Sequence, residues 1–210
     1  MSYSIQAVLF DMDGVLVDAR EWHYEALNKA LSLFGFTISR YDHLTTFDGL
    51  PTREKLRQLS ITEQLPEGLH KLINNAKQRY TREKIMEACN PVFHIEYALS
   101  RLNREGYKLG VCTNSVRPTL DLMMDQSGLT PYLDIGLSNE DVSRPKPDPE
   151  IYVSAIKRLG LDARQCLIVE DNHHGLLAAR ASGAHVLQVA DPSEVTFPRI
   201  VQAIRTAEQA

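Results

Sequence analysis

The chain lacks the features that mark several protein classes. Its 210 residues include three cysteines, an odd number that forms no Cys-x-x-Cys pair, so we expect a reducing compartment. It has no long run of lysine or arginine and a formal net charge of −4, which argues against nucleic acid as a partner. No apolar run reaches the roughly 18 residues that span a bilayer, so no membrane is expected as a partner either.

Further absences narrow the expectation. The first apolar run begins near residue 7, which leaves no room for a cleaved leader peptide, and we expect a cytoplasmic protein. No G-x-x-x-x-G-K-[ST] motif occurs, which argues against a P-loop NTPase. Without an extended apolar tract, a monomer is compatible with the sequence. The length and the 43% hydrophobic content suit one domain, or one core domain with a small insertion.

The chain does contain an alternation of short apolar runs and helical segments. The segments between the runs have helical spacing, and most of them end at a glycine. Repeated strand-helix units of this kind predict an α/β fold, with a Rossmann-like parallel sheet core and helices on both faces. The predicted strands lie at 5–10, 108–112, 133–137, 166–169 and 185–189.

Residues 17–90 interrupt this alternation because they contain helical patterns and no strong strand. The segment 42–50 is predicted as a loop. We therefore expect an inserted all-α cap domain at 17–90 and a core domain formed by 1–16 and 91–210. The predicted helices of the cap lie at 21–34, 52–59 and 66–88.

The first apolar run leads directly into two carboxylates, Asp11 and Asp13, which are followed by Gly14. Ligands of open α/β sheets bind beyond the carboxyl ends of the strands, so these carboxylates are expected at the mouth of a site. Because two carboxylates this close repel each other, a cation beside them is expected, and oxygen ligands suit Mg²⁺. A polar loop that merely caps the strand is the alternative interpretation.

Two later stretches carry groups that could meet a phosphate. Thr113 and Asn114 follow a predicted strand and precede a helix, where hydroxyl and amide groups can hold an anion, although ordinary helix capping is the alternative. Lys146 lies between two prolines, which stiffen its loop, so it could supply a cation held in place near the aspartates. A surface lysine before a helix is the alternative there.

A second strand also ends in paired acids, Glu170 and Asp171, and so repeats the geometry of the first motif. Capping of the next helix is the alternative, but Asn172 could cap that helix itself. The neighbouring histidines, His173 and His174, are interpreted as a solvated loop pair, because Mg²⁺ does not favour imidazole.

Together these stretches resemble the four motifs of the haloacid dehalogenase superfamily, in its Mg²⁺-dependent phosphatase and phosphomutase branch. The resemblance covers nearly the whole chain, in the family's order and at its intervals. The motifs are Asp11-x-Asp13-Gly14-Val15-Leu16-x-Asp18, Thr113-Asn114-Ser115, Lys146-Pro-x-Pro and Glu170-Asp171.

The resemblance implies catalytic roles for the first motif. Asp11 would attack phosphorus and become an aspartyl-phosphate, and Asp13 would act as the general acid and base. Thr113 and Lys146 would hold the phosphate, with Asn114 as a second contact.

The resemblance also implies Mg²⁺ as the cofactor. Its ligands would be Asp11, the backbone carbonyl of Asp13, and Asp171, with Glu170 as a further candidate.

In the cap, the loop 48–53 is expected to face the substrate. Gly49 would permit a close approach and Arg53 could meet an anionic or sugar group, although a solvated Arg53 at a helix start is the alternative. His23 lies where relatives with this cap often carry a histidine, and a partly buried interfacial histidine is the alternative. Lys77 is a weaker candidate, which we expect on a solvated helix face.

The resemblance leads us to expect a phosphatase that acts on a small phosphorylated metabolite, such as a sugar phosphate. A β-phosphoglucomutase-like phosphomutase is the alternative, and a non-catalytic binding protein on this fold is a third. The spacing and proline of the cap loop differ from the mutase pattern, and no lysine falls unambiguously at the mutase's second cap position. Both points favour hydrolysis.

Overall fold

A computed structural model describes residues 4–47 and 49–209 of the chain. The described residues form a five-stranded sheet in which every adjacent pair of strands is parallel and the order is β3-β2-β1-β4-β5. The predicted Rossmann-like α/β core is therefore confirmed. The strands are β1 (Ala7–Phe10), β2 (Lys108–Cys112), β3 (Ile135–Leu137), β4 (Cys166–Glu170) and β5 (His185–Gln188).

The pairing of the central strands brings their carboxyl ends to one edge of the sheet. Phe10, the last residue of β1, pairs with Val111 of β2 and with Val169 of β4. The residues that follow these three strands therefore meet beyond one edge, where ligands of open α/β sheets bind. This register explains how motifs more than 150 positions apart in sequence can form a single site.

Helices cover both faces of the sheet. Because side chains alternate along a strand, Val8 and Phe10 of β1 face one helical layer while Ala7 and Leu9 face the other. The first layer contains α5 (Phe93–Arg104), α6 (Arg117–Gln126) and α9 (Phe197–Glu208), and the second contains α7 (Glu150–Arg158) and α8 (His173–Ala181).

The chain between β1 and β2 is helical before α5 and contains an apolar cluster of its own. Its α-helices are α1 (Arg20–Ser32), α2 (Arg40–Asp42), α3 (Thr52–Thr62) and α4 (His70–Ala88). The cluster joins side chains of α1, α3 and α4, including Leu31, Leu56 and Ile73. An all-α cap inserted into the core is thus confirmed, and its limits at 17 and 90 stay a prediction.

The segment 42–50 is more ordered than its predicted loop. After α2, the chain continues as a π-helical turn over His43–Phe47, so the prediction of a loop is wrong there. Two interactions explain the difference: Ser39 accepts a hydrogen bond from the backbone N–H of Asp42, and Phe47 is buried in the apolar cluster of the cap. Asp48, the first residue of the predicted substrate-facing loop, lies outside the described residues.

Other differences between prediction and structure concern element ends. The predicted strand 133–137 begins only at Ile135, because Thr130–Tyr132 form a 3-10 turn before it. Short 3-10 turns also precede or follow several helices and strands, at Glu67–Leu69, Asn139–Asp141, Ala163–Gln165 and Pro192–Glu194. Within the part of the chain that the structure describes, no helix has the length and apolar character needed to cross a membrane.

Ile73 tests the apolar cluster of the cap. It is fully buried, so Ile73→Ala should remove apolar contacts, leave a cavity and lower the free energy of unfolding by about 2–5 kcal/mol. Urea denaturation followed by circular dichroism measures this loss. Leu72→Ala is the matched control, because Leu72 is 55% exposed on the same helix and should change stability little. Equal losses in the two variants would contradict the assignment.

Candidate active site

A cavity of about 350 Å³ lies between the carboxyl edge of the sheet and the helices of the cap. The sheet side contributes Asp11, Asp13 and Asp171, and the cap side contributes α1, α3 and α4. Three of the four predicted motifs follow β1, β2 and β4, and the fourth precedes α7. The cavity therefore collects side chains from all four motifs, together with residues of the cap.

The centre of the site is a buried ammonium group. Lys146 Nζ lies 2.6 Å from Asp11 Oδ1, 2.6 Å from Glu170 Oε1 and 2.8 Å from the Tyr152 hydroxyl. The Tyr152 hydroxyl in turn donates to Glu170 Oε1 at 2.7 Å. The prediction that Lys146 stands near the aspartates is consistent with this geometry, and its alternative as a surface lysine is wrong because the residue is buried.

The network shifts the pKa values of Lys146, Asp11 and Tyr152. Burial lowers the pKa of Lys146, but the carboxylates of Asp11 and Glu170 outweigh it and raise that pKa above its ordinary value. Burial raises the pKa of Asp11 well above its ordinary value, against the attraction of Lys146. Burial and the Glu170 carboxylate also raise the pKa of Tyr152, which therefore stays protonated and donates. Lys146 thus remains a cation at neutral pH.

Asn114 holds the backbone that carries Lys146. Its side-chain oxygen accepts from Lys146 N at 3.0 Å, and its Nδ2 donates to Lys146 O at 3.1 Å and to Gly49 O at 3.0 Å. These bonds join the loop after β2, the lysine loop and the cap. The structure therefore gives Asn114 a positioning role, and the phosphate contact stays a prediction.

Asp13 has partners on both sides of the cavity. His23 Nε2 lies 2.9 Å from Asp13 Oδ1, while Ser115 Oγ donates to Oδ2 at 3.0 Å and Thr113 Oγ1 at 3.5 Å. Burial raises the pKa of Asp13, but His23, Ser115 and the more distant Lys77 lower it below its ordinary value overall. His23 therefore reaches the site from α1.

Thr113 and Asn114 in the loop after β2 do not cap α6, so the alternative interpretation of these residues as helix caps is wrong. The N-cap of α6 is Val116, and no side chain caps that helix. Thr113 is instead buried at the site, where its hydroxyl accepts a hydrogen bond from Ser115 N at 3.0 Å. Ser115 was not predicted as a partner of Asp13, because its contact joins residues 102 positions apart.

Lys77 is buried, so the prediction of a solvated helix face is wrong. Its Nζ lies 3.2 Å from His23 Nδ1. Since an ammonium has only donors, Nδ1 accepts this bond and Nε2 carries the proton that His23 donates to Asp13. A lysine of the cap therefore does line the site, and its expected absence no longer favours hydrolysis over a mutase.

Three carboxylates form a group with the spacing of a metal site. Asp11, Glu170 and Asp171 each offer an oxygen within 4.8 Å of the others. Both Glu170 oxygens already accept hydrogen bonds, from Lys146 and Tyr152 at Oε1 and from Asp171 N at Oε2. The donor set suits a hard cation such as Mg²⁺, with Asp11 and Asp171 as its better-placed members.

Gly14 makes room for Asp171. It has a φ of +95°, and a Cβ atom at this position would lie 2.2 Å from Asp171 Oδ2. Arg20, at the start of α1, also approaches this carboxylate, with Nη1 3.7 Å from Oδ2. Arg20 was not predicted, because its position in sequence indicates only a helix start.

The remaining predicted residues divide between cavity and surface. Gly49 has a φ of +72°, and a Cβ there would lie 2.8 Å from Asn172 Oδ1, so the cap approaches the sheet edge closely. Arg53 lines the cavity with an exposed side chain.

Asn172 caps α8, as its place in the sequence suggested, so capping of this helix does not account for Glu170 and Asp171. His173 is exposed and packs edge-on against His174.

Gly175 is a further glycine that the site requires, and no sequence pattern singles it out. A Cβ atom at Gly175 would lie 1.8 Å from Glu170 Oε1. Gly175→Ala should therefore displace the carboxylate that holds Lys146 and lower the free energy of unfolding by about 1–3 kcal/mol. Urea denaturation checks the loss. Gly68→Ala is the control, because no atom lies within 4 Å of its added Cβ; equal stability of Gly175→Ala and the parent would refute the steric constraint.

The buried ammonium of Lys77 should make stability depend on pH. Burial, and after it the charge of Lys55, lower the pKa of Lys77 from 10.5 to about 8. Between these values the unfolded chain binds more protons than the native one, so the Lys77 contribution to stability rises with pH. Lys77→Met should thus be more stable than the parent at neutral pH, with an advantage that shrinks towards pH 10.5. Chemical denaturation across this range measures it, and a constant difference would contradict the assignment.

Comparison with known proteins identifies the family. The model of the haloacid dehalogenase-like hydrolases matches residues 8–189. Pyrophosphatase PpaX of Bacillus velezensis is 27% identical over 186 residues, which cover 89% of this chain and 83% of that protein. The phosphorylated carbohydrates phosphatase of Thermotoga maritima is 30% identical over 183 residues, which cover 85% and 82%.

The fold comparison agrees. The crystal structure of β-phosphoglucomutase from Clostridium difficile matches with a TM-score of 0.85, covering 98% of this chain and 100% of that one. At 21% identity this likeness concerns the fold. Since the family match spans most of the sequence and all four motifs, the chain belongs to the haloacid dehalogenase superfamily of hydrolases, in its phosphatase- and phosphomutase-like branch.

Proposed function

We propose that this protein is a Mg²⁺-dependent phosphatase that hydrolyses a small phosphomonoester through an aspartyl-phosphate on Asp11. The observation that carries the proposal is the position of the Lys146 ammonium, 2.6 Å from Asp11 Oδ1 inside a cavity that also contains Asp13. A nucleophilic carboxylate must approach a phosphoryl group that is itself negative. A buried cation between them offsets the repulsion where water cannot screen it.

Asp11 is the proposed nucleophile because it lines the cavity and because its Oδ1 accepts a hydrogen bond from Lys146. Glu170 and Tyr152 keep the ammonium in place, so Glu170 acts through Lys146 rather than as a direct metal ligand in our proposal. Thr113 and the backbone around Ser115 form the proposed phosphate contacts at the start of α6. The bond from Asp11 to phosphorus forms as the bond to the leaving oxygen breaks.

Asp13 is the proposed acid and base. Its lowered pKa keeps it ionised without substrate, which is the form that takes a proton from water in the hydrolytic step. An incoming dianionic phosphate raises the pKa of a neighbouring carboxylate, and this favours the protonated form that the leaving oxygen needs. His23 and Ser115 orient the carboxylate for both steps.

The proposed Mg²⁺ would be held by Asp11, the backbone carbonyl of Asp13, and Asp171. When bound, it would polarise phosphoryl oxygens and add positive charge to that of Lys146. The oxygen donors of the carboxylate group and the space that Gly14 leaves beside Asp171 support this assignment. The named activities of the relatives, on a phosphorylated carbohydrate and on pyrophosphate, support a small phosphorylated metabolite as substrate.

A phosphomutase is the second candidate, and the contact between His23 and Lys77 favours it. The pair faces Asp13 from the cap, where it could orient a sugar hydroxyl to accept the phosphoryl group in place of water. The two candidates differ only in the molecule that accepts the phosphoryl group from Asp11, which is water in a phosphatase and a sugar hydroxyl in a mutase. The cap loop with Pro51 still favours hydrolysis.

Phosphorus NMR of the protein with Mg²⁺ and a panel of phosphoesters separates the candidates. The panel includes β-glucose 1-phosphate, with and without a bisphosphate primer. We expect the signal of inorganic phosphate to grow and EDTA to abolish it. Conversion to the 6-phosphate with little free phosphate would indicate a mutase, and inactivity on every ester would favour a binding protein.

The same assay tests the roles of the aspartates. Asp11→Asn should lower turnover by at least about 10³-fold, because it removes the nucleophile, and Asp13→Asn by about 10²–10⁴-fold. Asp125→Asn, on the exposed surface of α6, is the control and should keep turnover. Circular dichroism verifies folding, and Mg²⁺-dependent turnover in folded Asp11→Asn would disprove the nucleophile.

A further inference from the structure

A guanidinium group lies beside one of the proposed metal ligands. Arg20 is the first residue of α1, and its Nη1 lies 3.7 Å from Asp171 Oδ2. The Asp171 side chain is 1% exposed and that of Arg20 is 36% exposed, so a buried carboxylate meets a cation that water can reach. Gly14 leaves room for both, because a Cβ atom there would lie 2.2 Å from Asp171 Oδ2 and 3.4 Å from Arg20 Nε. The proposed catalytic steps do not use this contact.

The position of Arg20 in its helix gives no local reason for a cation. The amino end of a helix carries partial positive charge, which disfavours a cationic side chain in the first turn. The N-cap residue, Ala19, makes no side-chain hydrogen bond to this end either. Because the local preference is against Arg20, the attraction of the nearby Asp171 carboxylate is the interaction that compensates for its position.

The surroundings of Asp171 are rich in negative charge. Asp11, Glu170 and Asp171 each offer an oxygen within 4.8 Å of the others. Burial raises the pKa of Asp11, and the charges of Glu170 and Asp171 raise it further. Lys146 donates hydrogen bonds to Asp11 and Glu170, while Arg20 approaches the third carboxylate from the start of the cap. Two cations of the chain thus lie beside three carboxylates.

These two cations are held with different strength. The Lys146 ammonium lies at hydrogen-bond distance from its carboxylates, whereas 3.7 Å between Arg20 and Asp171 is longer than a hydrogen bond. Arg20 also has a second carboxylate within electrostatic reach. Hydrogen bonds from Ser193, and to a smaller extent the charge of Arg20, lower the pKa of Asp191. The guanidinium could therefore move away from Asp171 and still meet a carboxylate.

We propose that Arg20 sets the Mg²⁺ affinity of the site, because its guanidinium competes with the metal ion for the charge of Asp171. The proposal rests on the proposed function, in which Asp171 is a metal ligand. A metal ion at Asp171 must either repel the guanidinium or displace it towards solvent and Asp191, and both reduce the affinity for the metal. Arg20 acts through Asp171 and need not touch the substrate.

A purely structural role of Arg20 would have the opposite effect on binding. If Arg20 only held Asp171 in place for the metal ion, its removal would lower the stability of the protein and its Mg²⁺ affinity together. Competition predicts that the removal lowers the stability without Mg²⁺ and raises the affinity for Mg²⁺. The signs of these two changes therefore separate the two roles.

Calorimetric titration with Mg²⁺ measures the affinity directly. Arg20→Met removes the charge, keeps an unbranched side chain, and should bind Mg²⁺ about 3- to 30-fold more tightly than the parent. Arg20→Lys keeps the charge and should stay closer to the parent. Arg180→Met is the matched control, because Arg180 is exposed in the last turn of α8, and it should keep the parent affinity. An unchanged or weaker affinity in folded Arg20→Met would overturn the proposal.

Urea denaturation supplies a second readout that does not depend on activity. In EDTA, Arg20→Met should be less stable than Arg180→Met, because the carboxylates lose a neighbouring cation. Addition of Mg²⁺ should raise the unfolding midpoint more for Arg20→Met than for the parent, because stabilisation by a ligand grows with its affinity. Equal increases in the two proteins would contradict competition.

The outcomes also separate competition from the proposed function. If the parent and Arg20→Met bind Mg²⁺ equally, competition fails and the phosphatase assignment stands. If the affinities differ as expected while no phosphoester turns over, the phosphatase assignment fails and competition stands. If the parent does not bind Mg²⁺ at all, both competition and the metal assignment of the proposed function are wrong.

Discussion

The buried ion network of Lys146 is the constraint on which the site depends. An ammonium removed from water is costly unless charged partners surround it, and here Asp11 and Glu170 each lie 2.6 Å away. Those partners follow or end different strands, so the network holds only if the strands keep their register. The network in turn positions the lysine loop through Asn114, whose side chain also contacts the cap at Gly49. Fold and site are therefore linked by one set of buried charges.

The site also requires two of its carboxylates to lie very close to the backbone. Gly14 and Gly175 lie where a single methyl group would overlap the carboxylates of Asp171 and Glu170. The two glycines allow these carboxylates to pack directly beside the main chain. At Gly14 the backbone is also left-handed, so both space and conformation favour glycine. The carboxylates of Asp171 and Glu170 can therefore occupy these positions only because the neighbouring residues, Gly14 and Gly175, have no side chain.

Much of the fold and part of the site follow from local patterns. Short apolar runs that end in Asp11 or Glu170 predict both the strands and the edge at which their acids meet, because parallel strands share that edge. Lys77 and Ser115 could not be found in this way. Lys77 lies on a helix rich in charge, and only the packing of α4 against α1 turns it towards His23. The π-helical turn likewise depends on the burial of Phe47, which local propensity does not report.

The charge pattern of the cavity connects stability with recognition. The sheet side places carboxylates where a cation is expected, and Lys146 already compensates two of them. The cap side keeps Lys55 and Lys77 buried, although a neutral side chain of similar length would cost less in the unliganded protein. The cap approaches the sheet edge closely at Gly49, so its cationic side chains and the carboxylates of the sheet side line one cavity. The contact between His23 of the cap and Asp13 of the core therefore depends on how these two parts pack against each other.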